Sequence, residues 1–307
     1  LSRSAIPYRG RFAPSPTGPL HLGSLIAALA SWLDARHHGG TWLVRMEDLD
    51  PPREEPGAAR RILDSLQRHG LQWDGEMVWQ SRRREAYAGA LARLAGGGHL
   101  FQCDCTRQRL GPGGACGGRC RPRQGSLGEP RALRVRVPAR CEISFSDRIQ
   151  GPQHCALGAE LPDFVVRRKE GLDAYQLAVV VDDASQGITH VVRGSDLLDS
   201  TPRQIFLQGL LGYPTPAYGH LPVITNDRGQ KFSKQNHAPA LDGERAPANL
   251  RAALCFLRQE APPPELLTVG EVLAFARQRW QLHRVPQRLA VPAAPHSSAG
   301  RPSTGRP

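Results

Sequence analysis

Two short stretches and one group of cysteines hold the residue types that could do chemistry. In the first, His21-Leu22-Gly23-Ser24 stands where a Pro-rich loop, Pro14 to Pro19, hands over to an apolar run. A helix N-terminus there would bind an anion through its unpaired N–H groups. His21 can donate to a phosphate, and Gly23, having no Cβ, lets a flat purine lie against the backbone. A His-x-Gly triplet also arises freely by chance. The second stretch is Lys231-Phe232-Ser233-Lys234-Gln235, where two ammonium groups three residues apart can clamp a triphosphate and follow the charge that develops in nucleotidyl transfer. Of 40 basic residues 37 are Arg and three are Lys, and two of those three stand here. A compact, mobile charge suits such a task where a planar guanidinium does not; the alternative is a solvated basic loop.

The third group is Cys103-x-Cys105-x10-Cys116-x3-Cys120. Four thiolates can close a tetrahedral site for one structural Zn²⁺ and hold together an insertion whose own core is too thin to fold. Buried free cysteines are the competing reading, since the spacings are not the commonest of zinc ribbons. Cys141, Cys155 and Cys255 read as ordinary small core residues.

These residues need elements to position them. Tyr8 to Ala13 reads as a strand and Leu22 to Arg36 as a helix, followed by a strand over Thr41 to Met46 and a helix over Glu54 to Arg68. A β-α-β crossover of this kind predicts a parallel sheet, so the expected class is α/β with a first half at residues 1–95. Residues 96–158 turn Gly-rich, Arg-rich and cysteine-bearing, with one alternating run at Leu133 to Val137, and read as an inserted zinc-binding subdomain. Strand-like sequence returns at Asp163 to Val166, Ala174 to Val181 and Thr189 to Val192; Asp196 to Leu211 reads as helical and Leu221 to Thr225 as extended. The second half of the parent α/β domain is expected at 159–245, a short helical region at 246–285, and a tail at 286–307 too poor in apolar residues to pack.

The chain has 307 residues and a formal net charge of +12, with 40% hydrophobic and 22% charged residues. That is a globular composition with room for a core, and the charge suits a polyanionic partner. Seven cysteines, four of them clustered, do not form a secreted disulfide framework. With no apolar run near the ~20 residues of a membrane span and no signal-peptide core, a cytoplasmic protein is expected. The Gly-x-x-x-x-Gly-Lys loop, the Gly-x-Gly-x-x-Gly fingerprint and the Gly-x-Ser-x-Gly elbow are absent, so the usual signals of a P-loop ATPase, a dinucleotide dehydrogenase and a serine hydrolase are missing.

Taken together, the residues resemble the class I aminoacyl-tRNA synthetases. The two stretches are similar to the HIGH and KMSKS signatures, with Ser24 and Gln235 as departures. Arg11 to Gly23, Arg45-Met46-Glu47-Asp48-Leu49-Asp50, and Tyr175-Gln176-Leu177 with Val192-Arg193-Gly194 resemble the glutamyl branch, and the likeness covers about residues 7–283. It implies a Rossmann-like nucleotide-binding domain split by the zinc insertion. It also implies a pocket for L-glutamate lined by Arg11, Ala13, Ser15, Glu47, Tyr175 and Arg193, an ATP site with Mg²⁺ at His21, Gly23, Ser24, Lys231, Ser233 and Lys234, and catalysis by His21, Lys231 and Lys234. Two Arg and one Glu suit an amino acid with two carboxylates and one ammonium, although which Arg meets which carboxylate stays open. Only 73 residues follow Lys234, too few for a large anticodon-reading domain. A truncated, monomeric form is therefore expected, whose implied acceptor is the queuosine base of tRNA(Asp). The alternatives are a synthetase that charges a tRNA 3′ end, a nucleotidyltransferase for a small acid, and a zinc-containing RNA-binding module without catalysis.

Overall fold

The computed structural model describes residues 7–160, 162–225 and 239–292. Its first crossover is β1 (Arg9–Phe12), α1 (Leu22–His37) and β2 (Thr41–Met46). β1 and β2 run parallel, with Arg9 opposite Thr41 and Phe12 opposite Val44. The return from α1 relies on two glycines: Gly39 sits at φ +63°, and a Cβ on Gly40 would lie 2.5 Å from the Tyr8 carbonyl oxygen. α2 (Ala58–Arg68) then leads to β3 (Val78–Trp79), which pairs parallel with the end of β2.

After α3 (Arg84–Gly96) come β4 (Leu100–Cys103), β5 (Ala132–Arg136), the hairpin β6 (Ile143–Asp147) and β7 (Gly151–Cys155), the short α4 (Leu157–Glu160) and β8 (Asp163–Arg167). β5 is flanked by β4 and β8, both antiparallel to it. β8 therefore pairs with strands of the cysteine-bearing region and does not open the resumed parallel pattern expected of Asp163 to Val166. Next are α5 (Tyr175–Ser185), β9 (His190–Gly194), α6 (Thr201–Leu211), β10 (Ala217–Leu221) and β11 (Val223–Thr225), and finally α7 (Ala246–Phe256), α8 (Val269–Arg279) and β12 (Ala290–Pro292). β9 and β10 are parallel. The two parallel pieces meet where the Thr189 N–H donates to the Arg9 carbonyl (2.9 Å) and the Arg9 N–H to Thr189 Oγ1 (2.8 Å).

Two further local expectations differ from the structure. Ala174 to Val181, whose valines favour a strand, lies in helix α5: Leu177, Val180 and Val181 are buried in a cluster with Tyr87 and Leu91 of α3 and Leu207 and Leu211 of α6. Burial on helical neighbours overrides the β-propensity of the run. In the stretch from 286, Ala290–Pro292 forms β12, parallel to β11. Main-chain pairing needs no apolar side chains, which is why composition did not show it.

α1 is the hub of the larger core. Leu25, Leu29 and Leu33 are fully buried with Trp42, Leu250, Leu254 and Trp280. The buried Asp34 accepts from Tyr8 Oη (2.5 Å), Arg148 Nη1 (2.5 Å) and Trp280 Nε1 (3.1 Å). Among the described residues no helix is long and apolar enough to cross a membrane.

Candidate active site

A cavity of about 630 Å³ opens where β1, the N-terminus of α1 and the ends of β2 and β9 converge. Arg11, Ala13, Ser15, Glu47, Tyr175 and Arg193 all line it, as do His21, Gly23 and Ser24. Lys231, Ser233 and Lys234 lie outside the described residues. The segments on either side of 226–238 reach the same place, because Val223 and Ile224 line the cavity and Ala240 bridges to His21, with the Leu241 N–H donating to the Leu20 carbonyl (3.0 Å).

His21 is the N-cap of α1. Its Nδ1 accepts the Ser24 N–H at 3.3 Å, and its Nε2 lies 3.2 Å from Ser24 Oγ. The residue that departs from the signature thus engages both nitrogens of the imidazole. A Cβ on Gly23 would stand 3.1 Å from the His21 ring and 3.2 Å from Ile224 Cγ2, so that glycine also makes room for the histidine's own side chain.

The cavity has two arginine-bearing sides. On one, Arg11 Nε and Nη2 each donate to one Asp183 oxygen at 3.2 Å. Arg45, fully buried, donates through Nη1 to Asp183 (2.8 Å) and to Gln186 Oε1 (2.7 Å), and through Nη2 to Glu47 (3.4 Å). Burial pushes the Asp183 carboxyl up, but Arg11 and Arg45 outweigh it and hold the group below the ordinary carboxylate range. At Glu47 burial wins over Arg45 and Arg11, and its carboxyl is raised. On the other side Arg193 donates to four groups, all neutral: Tyr175 Oη (3.3 Å), His220 Nε2 (3.1 Å), the Leu197 carbonyl (3.3 Å) and Thr201 Oγ1 (2.9 Å). Arg193 is 5% exposed. Burial also raises the Tyr175 hydroxyl, which is therefore a neutral hydrogen-bonding group here.

Sequence reasoning missed the counter-ions. Asp183 is 172 positions from Arg11, and the extended reading of Ala174 to Val181 hid the turn of helix on which it sits. The one signal was the adjacent pair Asp182-Asp183 ending an apolar run. Asp182 is fully buried and accepts from Gln80 Nε2 (2.8 Å), Arg83 Nε (2.5 Å) and Tyr87 Oη (2.8 Å). Arg53, Arg168 and Asp173 also line the cavity and were not singled out, and Asp50 was quoted only within its motif.

The four clustered thiols are buried, and their sulfur atoms all lie within 4.8 Å of one another. Cys105 Sγ is 3.8 Å from Cys116 Sγ and 3.5 Å from Cys120 Sγ, and Cys120 Sγ is 3.8 Å from Cys103 Sγ. A tetrahedron with metal–sulfur bonds of ~2.3 Å has sulfur–sulfur edges of roughly 3.8 Å, so the donor set fits one tetrahedral metal ion. Of the remaining cysteines, Cys155 is buried, Cys141 half-buried and Cys255 exposed, which corrects the core reading of the last.

The family described as tRNA synthetases class I (E and Q), catalytic domain, matches residues 8–113 and 122–247. A glutamyl-Q tRNA(Asp) synthetase of Pseudomonas putida (strain W619) is 52% identical, covering 94% of this chain and 97% of that protein. One from Thiobacillus denitrificans is 55% identical over 92% of this chain and 96% of that protein. Among solved structures, a glutamate tRNA ligase from Elizabethkingia meningosepticum, in complex with its amino acid, superposes with a TM-score of 0.78 at 25% identity, covering 94% of this chain and 67% of that one. Matched along nearly its whole length, the chain belongs to the catalytic-domain family of the class I glutamyl and glutaminyl synthetases, on its glutamyl-Q tRNA(Asp) synthetase branch.

Proposed function

We propose that the chain condenses L-glutamate with ATP to glutamyl-adenylate and passes the glutamyl group to the queuosine base of tRNA(Asp). The observation that carries this reading is Arg193, a buried cation whose hydrogen-bond acceptors are all neutral, in the cavity that Glu47 and Tyr175 also line. Arg11 is already matched by Asp183, and Arg53 and Arg168 share Asp50. Among the described residues that line the cavity, Arg193 is thus the buried guanidinium that donates to no carboxylate and is free to meet one from the substrate. Glu47 is the complement for the α-ammonium: burial has raised its carboxyl, and a cationic partner would bring it back down. The names of the relatives support both glutamate and tRNA(Asp).

The carboxylate of glutamate is already a nucleophile, so activation needs no general base. Held in line, it attacks the α-phosphorus of ATP, the bond to the leaving pyrophosphate breaks, and the mixed anhydride forms. ATP arrives with Mg²⁺, which neutralises phosphate charge. His21 at the helix N-terminus, with Gly23 and Ser24, takes the nucleotide, and Lys231, Ser233 and Lys234 close on the phosphates. In the second step a ring hydroxyl of the modified base attacks the acyl carbon, AMP leaves, and an ester remains.

Cys103, Cys105, Cys116 and Cys120 would hold one Zn²⁺, which supplies structural cross-linking to the 96–158 insertion between catalytic halves at 1–95 and 159–245. We read the working unit as a cytoplasmic monomer. The test is glutamate-dependent ATP–pyrophosphate exchange without RNA, followed by mapping labelled glutamate among total tRNA. Label on the anticodon base of tRNA(Asp) is the expected result. Label at a 3′ end would identify a charging synthetase, and no exchange at all, with or without tRNA, would end the catalytic reading.

A further inference from the structure

Arg193 does not stand alone. Its Nε can only donate, so His220 Nε2, 3.1 Å away, must accept. The proton of the neutral imidazole is then on Nδ1, which donates to Asp147 Oδ2 at 2.6 Å. Asp147 Oδ1 in turn accepts three backbone N–H groups: Ile149 (3.0 Å), Gln150 (2.8 Å) and His220 itself (3.1 Å). His220 is fully buried and Asp147 is 3% exposed. The chain of bonds starts in the β6–β7 hairpin and ends at the cavity wall.

We propose that Asp147 and His220 are positioning residues for Arg193, aiming its guanidinium at the substrate carboxylate, and that glutamate affinity is thereby set partly from the β6–β7 hairpin. This rests on the assignment of Arg193 to the amino-acid pocket. The neutral imidazole between the two charges has a purpose. A carboxylate placed directly on Arg193 would fix the side chain and cancel its charge, as Asp183 does for Arg11, whereas a neutral acceptor fixes it and leaves the charge to the ligand. Such outer partners commonly fix both the tautomer and the orientation of the group they support.

The geometry dictates the probe. The three N–H groups on Oδ1 require an acceptor there, so Asp147→Asn must turn its NH₂ towards His220 Nδ1. That forces the imidazole proton onto Nε2, where it faces the Arg193 donor and has Thr201 Oγ1, 3.1 Å away, as its acceptor, so the bond to Arg193 is lost. In pyrophosphate exchange, Asp147→Asn and His220→Leu should each raise the KM for glutamate roughly ten- to hundredfold, the range of one hydrogen bond to a charged group. The KM for ATP and kcat should stay within about threefold. His220→Gln, whose carbonyl can still accept from Arg193, should recover part of the loss. Imidazole ¹⁵N spectra should show the Nδ1–H form in the native protein and the Nε2–H form in Asp147→Asn.

If Arg193→Ala raises the glutamate KM while Asp147→Asn and His220→Leu leave it within twofold of native, the positioning proposal fails and the pocket stands. If Arg193→Ala itself leaves glutamate kinetics unchanged, the pocket assignment fails. A uniform loss of kcat and of both affinities would mean a merely structural role and would also overturn the proposal. Should His220→Leu not fold, the nearly isosteric Asp147→Asn decides alone.

Discussion

The two arginine-bearing sides of the cavity solve one problem in opposite ways. On the Arg11 side every cation meets a carboxylate: Asp183 is shared by Arg11 and Arg45, and Arg45 also reaches Glu47. On the Arg193 side, among the described residues, the guanidinium donates only to a phenol, an imidazole, a carbonyl and a hydroxyl, and it faces the Tyr218 ring. The first arrangement suits a frame, since removing one charge from a buried ion cluster strands the rest. The second suits a ligand site, since the missing anion can be supplied by substrate. The presence of arginine in a pocket therefore says less about its task than the charge of its neighbours.

That contrast can be broken by substitution. Asp183→Asn should destabilise the fold by about 3–5 kcal/mol, because Arg11 and Arg45 lose a shared counter-ion in a buried place. The denaturation midpoint measures it, and a native-like midpoint would show that the frame is not ionic. Arg193→Ala should instead spare most of the stability and weaken glutamate activation by ~2–5 kcal/mol, roughly thirtyfold to several thousandfold. Glutamine should be a poor substrate for the native enzyme, since a neutral amide cannot replace the charge that Arg193 awaits. Exchange kinetics with both amino acids test this, and equal use of the two would remove the carboxylate assignment.

Acid should separate the two sides by pH. Burial and the nearby Arg193 lower His220, against the pull of Asp147 and Asp196, so its contribution to stability is complete above about 6.5 and is lost as pH falls from there towards its folded value. Asp183 lies below its unfolded value of about 4, so its contribution holds until pH falls below that point. Stability should therefore begin to decline below about 6.5, before the Asp183 contribution is touched. The folded protein keeps a neutral His220, and with it glutamate affinity, until pH reaches the lower folded value. A single transition in which both are lost together would contradict the division. The smallest effect on activation is expected outside the cavity lining: Cys116→Ala should release about one equivalent of bound zinc and impair transfer to tRNA while leaving pyrophosphate exchange near native. Metal analysis and the two partial reactions report it.

What could be read in the sequence was whatever is local. His21 to Ser24, the glycine turn at Gly39-Gly40 and the four cysteines each lie within one segment, and periodicity alone marks α1 and β2. The partners that make the site work are remote: Asp183 from Arg11 by 172 positions and Asp147 from His220 by 73. No composition or spacing rule links such pairs. The valine run leading into Asp182-Asp183 misled for the same reason, because only the helices packed on either side decide that it coils. Lys231 and Lys234 remain a sequence argument, as they lie outside the described residues.

Asp34 shows how the order of synthesis bears on the finished molecule. Its buried carboxylate takes donors from 26, 114 and 246 positions away. Tyr8 has already been made when Asp34 is joined to the chain, Arg148 follows only after most of the insertion, and Trp280 after nearly everything else. Contacts of such span close slowly and late. Until then α1 carries a carboxylate whose proper setting does not yet exist, so the first crossover of the sheet cannot finish packing as an independent unit. Trp280, buried against α1 and donating to Asp34, acts as a latch that the last-made part of the chain sets on the first. A chain ending short of that residue should retain the nucleotide-binding sequence yet fail to lock the helix that presents it.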